Sequence, residues 1–347
     1  MIKKYRNILL ISMMIISISA VMFFSKGFGE NRRGDIHYEK AKIIDILNEK
    51  LREDTVVPGI FLGYQELELE ITTGEFAGNR FKVRNAMSRL YNVQGKKNME
   101  IIVQIYAENH ELQSISVYNY FREPVIYILI VLFFAVLLIF GRIKGLKAII
   151  SLIFTGVMVI FLMLPLIFRG TNPILASILT VSLTTFATLL LVSGFNRKTM
   201  AAALGTICGV ICAGIIAYIT GNIVHLSGLT MEEAEALISI AERTGLQIRG
   251  LMFAGILIAS MGAIMDVGMS IASAIFEIKN ANPQFSKSEL IRSGMNIGQD
   301  IMGTMSNTLI LAFAGGSLNI MLIIMAYGMP YRQIMNLDLI CTELIQG

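Results

Sequence analysis

Charge is what this chain has least of. Asp, Glu, Lys and Arg make up 16% of its 347 residues, against about 25% in soluble domains, and 54% of the chain is hydrophobic with a mean hydropathy of +0.65. That balance excludes an ordinary water-soluble globule and points to a chain built mostly for lipid. The net charge of +4 is too small to call for a nucleic-acid partner and is better read loop by loop as membrane topology. Cysteine is almost as scarce. Cys208 and Cys212 lie inside one apolar run and Cys341 in the tail, so the polar region after the first apolar run has no disulfide framework. Cys208 and Cys212 share a helix face, which with no histidine beside them reads as packing rather than a metal site. The three histidines, His37, His110 and His225, are scattered and form neither a metal nor a catalytic cluster. No glycine-rich loop is followed by Lys and Ser/Thr, so direct use of ATP has no support. No cofactor, metal or enzymatic activity is implied.

What the chain does have is long apolar runs, each near the roughly 20 residues that cross a hydrocarbon core. The first, within residues 1–24, follows a basic "MIKKYR". It is long for a signal-peptide core and lacks a clear A-x-A site, so it reads as a retained anchor. Further spans fall at about 124–140, 146–168, 173–194, 200–222, 250–277 and 299–326. The expected fold is therefore an α-helical polytopic membrane protein of about seven transmembrane helices, carrying a small extracytoplasmic, mostly-β domain between helices 1 and 2. The multipass domain takes residues 124–347, ending in a short tail. The basic loops "GRIKGLK", "FNRKT" and "KNANPQFSKSELIRSG" all fall on the side of the basic N-terminus. This places the N-terminus inside and residues 25–123 outside.

In that outer segment, "YEKAKIIDILNEKLRED" spaces Ile43, Ile44, Leu47 and Leu51 as an apolar helical stripe. "QELELEITTG" alternates Leu67, Leu69 and Ile71 with glutamates and reads as a half-buried strand. "NRFKVRN", "MEIIVQIYAEN" and "LQSISVYNYF" add three more strands. The expectation is a small α+β domain, a β-barrel or sandwich in its strand part. Arg80, Lys82, Arg84 and Arg89 are read as a solvated strand face rather than a binding patch. The later loop "SGLTMEEAEALISIAERTG" reads as a short helix capped by Thr230, with Glu232 and Glu233 in its first turn. Thr180, Ser182, Thr184, Thr185 and Thr188 make one span rich in hydroxyls, which back-bonding to the helix explains.

Candidate functional residues sit in the last two spans. Gly255, Ala259, Gly262, Asp266, Ser270, Ser273 and Glu277 follow steps of four and three and share one helix face. Asn296, Asp300, Gly303, Asn307 and Ala314 do the same in the next span. Folding the two as a hairpin centred near residue 283 sets Asp266 level with Asp300, Ser270 with Asn296, and Ser273 with Arg292 or Ser293. A charge at mid-bilayer costs about 2.5–3.5 kcal/mol on insertion scales, and two neighbouring carboxylates repel until one takes up a proton or a cation. Three readings stand: a proton or ion relay, a structural hydrogen-bonded knot, and, last, a hydrolytic aspartate pair, for which no peptidase motif is present.

"MGAIMDVGMSIASAIFEI", "NPQFSKSELIRSGMNIGQDIMGTMSNTLILAFAG" and "FNRKTMAAALGT" resemble the YibE/F-like family of bacterial multipass membrane proteins. "TTGEFAGNRFKVRN" and "VYNYFREP" look similar too, so the resemblance runs from about residue 60 to the C-terminus. It implies the bacterial cytoplasmic membrane and a transport- or export-related role with no defined substrate. It also implies a further apolar span past "IMNLDLICTELIQG", to be supplied by a longer chain or a partner, a second YibE/F-like subunit or a homo-oligomer. By analogy only, the small-rich span with its mid-helix Asp looks like SecD/SecF and the RND transporters, where membrane carboxylates take up protons. The alternative is a structural or accessory protein whose outer domain binds a partner.

Overall fold

The computed structural model describes residues 36–108, 111–228, 234–338 and 340–341, together with Ser19. The first expected span, the Thr230 cap and the glutamates after it lie outside the described residues. The chain divides into two compact units, one within Gly27–Val136 and the other built on Leu137–Gly347.

The first unit is a sheet. Strands β1 (Ile36–Glu53), β2 (Phe61–Ile71), β3 (Arg80–Met87), β4 (Glu100–Glu108) and β5 (Glu111–Tyr120) pair antiparallel in the order β3-β2-β1-β4-β5. β1 serves both halves. Its residues 41–53 pair with β2 and residues 36–42 with β4. The sheet curls until the free edges of β3 and β5 approach each other, giving a half-barrel wired like a partly open five-stranded OB barrel. Alternation builds its core: Leu67, Leu69 and Ile71 of β2 and Ile101, Val103 and Ile105 of β4 are all fully buried, each worth roughly 1.5–3 kcal/mol relative to exposure.

The helix expected over the "YEKAKIIDILNEK" stretch is strand β1 instead. Two register shifts, at Ile43/Asp45 and Ile46/Asn48, change the phase of the apolar residues, and a strand so interrupted loses its period of two. Ladder pairing on both sides then outweighs local helix preference.

A segment between β3 and β4 closes the half-barrel. Gln65, fully buried, donates from Nε2 to the Gly95 carbonyl (3.1 Å) and accepts from the Gly95 N–H (2.8 Å). Asn85 Nδ2 donates to the Val93 carbonyl (2.7 Å), and the Tyr120 hydroxyl accepts from Gln94 N–H (2.9 Å) and donates to the Asn92 carbonyl. At the far end, Arg89 grips Asp54, which also caps the N–H groups of Val56 and Val57.

The second unit is helical. Helix α1 (Glu123–Met158) runs through a wider π turn (Val159–Met163) into α2 (Leu164–Phe168). Together they form a 46-residue apolar stretch, about 69 Å if straight and far longer than a hydrocarbon core of about 30 Å. It is not straight. Arg142 has φ 47° and ψ −125°, and a Cβ at Gly145 would overlap the Leu137 carbonyl oxygen, so the chain turns sharply between the two expected spans.

Helix α3 (Pro173–Ser193) begins with Pro at its first position and Asn172 as its cap, Oδ1 accepting from Ile174 N–H at 3.0 Å. Helices α4 (Arg197–Ile223), α5 (Ala234–Thr244), α6 (Ile248–Ala281), α7 (Lys287–Gly316), α8 (Leu318–Ala326) and the short α9 (Tyr331–Ile334) follow. Helix α8 leaves α7 at a bend of 62°. Among the described residues four helices are long and apolar enough to cross a membrane, or five if α7 and α8 count as one span.

Helix α6 is the hub on which α3, α4 and α7 pack. Glycines of α4 let it close in: Gly209 meets Ile264, Gly214 meets Leu257 and Gly221 meets Phe253, the small-residue packing that membrane helices favour. Three hydroxyls of α3 bond their own backbone, Ser177 on the Pro173 carbonyl, Thr180 on the Ala176 carbonyl and Thr184 on the Thr180 carbonyl, each at 2.8 Å, whereas the buried Thr185 hydroxyl has no hydrogen-bond partner. Cys208 and Cys212, expected as packing residues, are free and exposed.

Candidate functional site

The two halves of α6 differ. Gly250, Met252, Phe253, Ala254, Ile256, Leu257 and Met261 are buried, and no residue after Met261 is. The half that carries Asp266 packs on α4 through Ile264 and Gly268 and on α7 through Ile271 and Ile275, and leaves the face of Asp266 open.

How α7 docks there decides where the polar stripes go. Gly294 packs on Ile275, to which a Cβ would come within 2.6 Å of Cδ1, and Gly298 sits over Ile271. These contacts centre the hairpin midway between residues 284 and 285, a little past the expected residue 283. Extended along both helices, that register sets Asp300 level with Met269 and Asp266 level with Gly303. The loop is locked by Lys279 Nζ donating to the carbonyls of Pro283 (2.7 Å) and Phe285 (2.8 Å), and by the Ser286–Glu289 capping box.

The seam is therefore apolar, and the expected confrontation of carboxylates is corrected. On a helix of 100° per residue, Asp266, Ser270, Ser273 and Glu277 point about 120–180° away from the mean direction of Ile271 and Ile275. Asn296, Asp300 and Asn307 likewise point away from Gly294 and Gly298. Burial agrees: Asp266, Ser270, Glu277, Arg292, Asn296, Asp300 and Asn307 are exposed, and Ser273 is half-buried. No side-chain hydrogen bond or ion pair joins any of them among the described residues. The stripes are real, but each faces outward. Isoleucine against glycine gives close contact along the whole seam, whereas two carboxylates at the same place would repel.

Beside the seam, α4, α6 and α7 enclose an open groove of about 680 Å³, lined by Ala201, Gly205, Val267, Ile271, Met302 and Met305 among others. Sequence reasoning missed it. Its only signal was the run of small residues in α4 and α6. Thr206, fully buried next to Gly268, has a hydroxyl with no hydrogen-bond partner. Arg249, at the start of α6, donates from Nη2 to the Gly221 carbonyl at the end of α4 (3.0 Å), a cation on a helix C-terminus.

The basic strand β3 of the first unit is also spoken for. Its register places Arg84 opposite Glu66, Lys82 opposite Glu68 and Arg80 opposite Glu70. Arg80 bonds Glu70 at 2.9 Å, Arg84 lies 4.2 Å from the centre of the Tyr64 ring, and Arg89 holds Asp54. The Asp54 carboxyl is held well below the usual carboxylate range, first by Arg89 and then by the Val56 N–H.

A family model described as YibE/F-like protein matches residues 129–347, the helical unit together with all of α1 but its first six residues. The β strands, which the sequence resemblance had taken in from about residue 60, lie outside that match. Neither the curated proteins nor the solved structures give a match.

Proposed function

The chain belongs to the YibE/F-like family, and we propose that it is a transport- or export-related subunit of the bacterial cytoplasmic membrane. In this reading its N-terminus is inside and the half-barrel outside. The carboxylates of Asp266 and Asp300 handle protons or ions, with Glu277, Asn296, Asn307, Ser270, Ser273 and Arg292 along the same two faces. One observation carries the reading: Asp266 stands exposed and unpartnered in the middle of α6, which is long and apolar enough to cross a membrane, and Asp300 does so in α7, which meets that measure together with α8. Acyl chains cannot satisfy them. A water-filled path or the surface of another subunit can, so the reading includes a second copy or a second YibE/F-like subunit against α6 and α7.

Asp266→Asn and Asp300→Asn, singly and together, test it in a deletion strain, with insertion verified in the membrane fraction. The double variant is expected to fail to complement and to lose proton uptake in proteoliposomes. Full activity of a normally inserted double variant would end the proposal. In the alternative, an accessory protein acting through its outer domain, the same double variant keeps function. The separate core of the half-barrel favours that reading as second.

A further inference from the structure

Where β5 ends at Tyr120 and α1 begins at Glu123, the surface holds a notch of about 320 Å³ walled by Tyr38, Tyr118, Tyr120, Arg122, Glu123 and Ile126. One cation and one hydroxyl beside it are committed. Lys40 pairs with Glu100 at 3.0 Å and covers the Phe121 ring, and the Tyr120 hydroxyl is tied to residues 92 and 94. Arg122 is not committed. Its guanidinium lies 5.8 Å from the Tyr120 ring centre and makes no ion pair among the described residues, and Glu123 beside it makes none either. The rings of Tyr38 and Tyr118 meet edge to face at 4.8 Å and are about half exposed.

The position of the notch narrows what can enter it. Val125, Ile126, Tyr127, Ile128 and Leu129 are each exposed by half or more, an apolar sleeve that begins at the notch itself and suits only hydrocarbon. Tyrosines gather at the boundary between water and lipid, and the molecules abundant at that level are phospholipid headgroups. The charges choose among them. A guanidinium is matched by a phosphate. A carboxylate next to it, with tyrosine faces at hand, is matched by an ammonium that still carries N–H donors. A glycerol headgroup offers no cation, and a choline offers no N–H.

We propose that this notch is a binding site for a phosphoethanolamine headgroup, phosphate on Arg122 and ammonium on Glu123 and the tyrosine wall. The proposal rests on α1 entering the membrane. The full-length protein, purified with a mixture of phosphatidylethanolamine, phosphatidylglycerol and phosphatidylcholine, is examined by native mass spectrometry during stepwise delipidation. The last lipid retained should be phosphatidylethanolamine, favoured about tenfold over the others, the difference one charge-assisted hydrogen bond makes. Arg122→Gln should weaken retention of every phospholipid about tenfold. Glu123→Gln should erase the preference for phosphatidylethanolamine while leaving phosphatidylglycerol unchanged. Both residues are exposed, so thermal midpoints should not move. Equal retention of the three lipids, preference for phosphatidylglycerol, or variants that behave as wild type would overturn the site. Ile128→Cys separates the two failures. Labelling by a water-soluble maleimide would remove the membrane reading of α1, whereas protection without lipid preference would remove only the headgroup site.

Discussion

Ile275 of α6 occupies the space that a side chain at position 294 of α7 would need. Together with Gly298 over Ile271, this contact fixes the register and rotation of the hairpin, and with them the outward direction of both acidic stripes. Gly294→Leu should therefore destabilise the helical unit by about 1–3 kcal/mol, the usual cost of overpacking. Adding Ile275→Ala should restore part of the loss, read as the thermal midpoint in detergent. Additive effects would show that the two positions are not in contact.

Because Asp300 points away from the seam and Gly294 into it, cysteines at the two positions should behave differently. Asp300→Cys is expected to be modified by small thiol reagents in detergent-solubilised single chains and to cross-link between copies in native membranes. Gly294→Cys should do neither. The background is a variant with Cys208, Cys212 and Cys341 replaced by Ala, since the first two are themselves exposed.

Asp54 gives the half-barrel a pH dependence of known sign. Its carboxyl titrates lower in the folded chain than in the unfolded one, where about 3.9 is usual, because Arg89 and the N–H groups of Val56 and Val57 bind the charged form. Asp45 shifts the same way beside Lys97. Both contributions are complete above about pH 4 and fade as pH falls through the folded values. The protection of β2 and β3 amides from exchange, taken against the intrinsic rate at each pH, should fall below pH 4, and Asp54→Asn should make that region less stable at pH 7 but flatter with pH. An Asp54→Asn profile with the wild-type slope would contradict the pairing.

Gln65 is the polar pin of the half-barrel. Gln65→Leu removes both hydrogen bonds to Gly95 and the one to Glu49 and leaves the buried Gly95 N–H and C=O without partners. A loss of about 1–3 kcal/mol per stranded group is expected, measurable as faster exchange of the β3–β4 segment with the β1–β2 ladder retained.

At the turn of α1, Arg142 takes a backbone conformation that glycine tolerates and other residues hold at a cost of about 1–3 kcal/mol. Arg142→Gly should raise the thermal midpoint, while Gly145→Ala, forced against the Leu137 carbonyl, should lower it. Opposite signs at two positions three apart check the turn itself rather than general sensitivity of the helix.

Much of this was legible in the residues, and the exceptions share a cause. Leu67, Leu69 and Ile71 alternate without interruption, and β2 is where the alternation lies. The span expected over 173–194 is helix α3. β1 was misread because its two register shifts break the period from which strands are recognised. The stripes through Asp266 and Asp300 were correctly grouped, since periodicity states which residues share a face. It does not state which face meets a neighbour. That choice was made by Gly294 and Gly298 with Ile271 and Ile275, positions unremarkable until the two helices are placed side by side. The groove by Met302 and Met305 was invisible for the same reason.

The double duty of β1 also bears on how the protein is made. A chain delivered from its N-terminus presents β1 early, yet the second partner of that strand, β4, lies some fifty residues later, and the closing segment is pinned by Tyr120 at the very end of β5. β1 keeps an unsatisfied edge until β4 has emerged, the closing segment stays unpinned until Tyr120 follows, and the next residues are the start of an apolar helix. Closure of the half-barrel and emergence of the apolar helix α1 are thus nearly simultaneous events in synthesis, and a pause between β4 and Tyr120 leaves the closing segment without its pin.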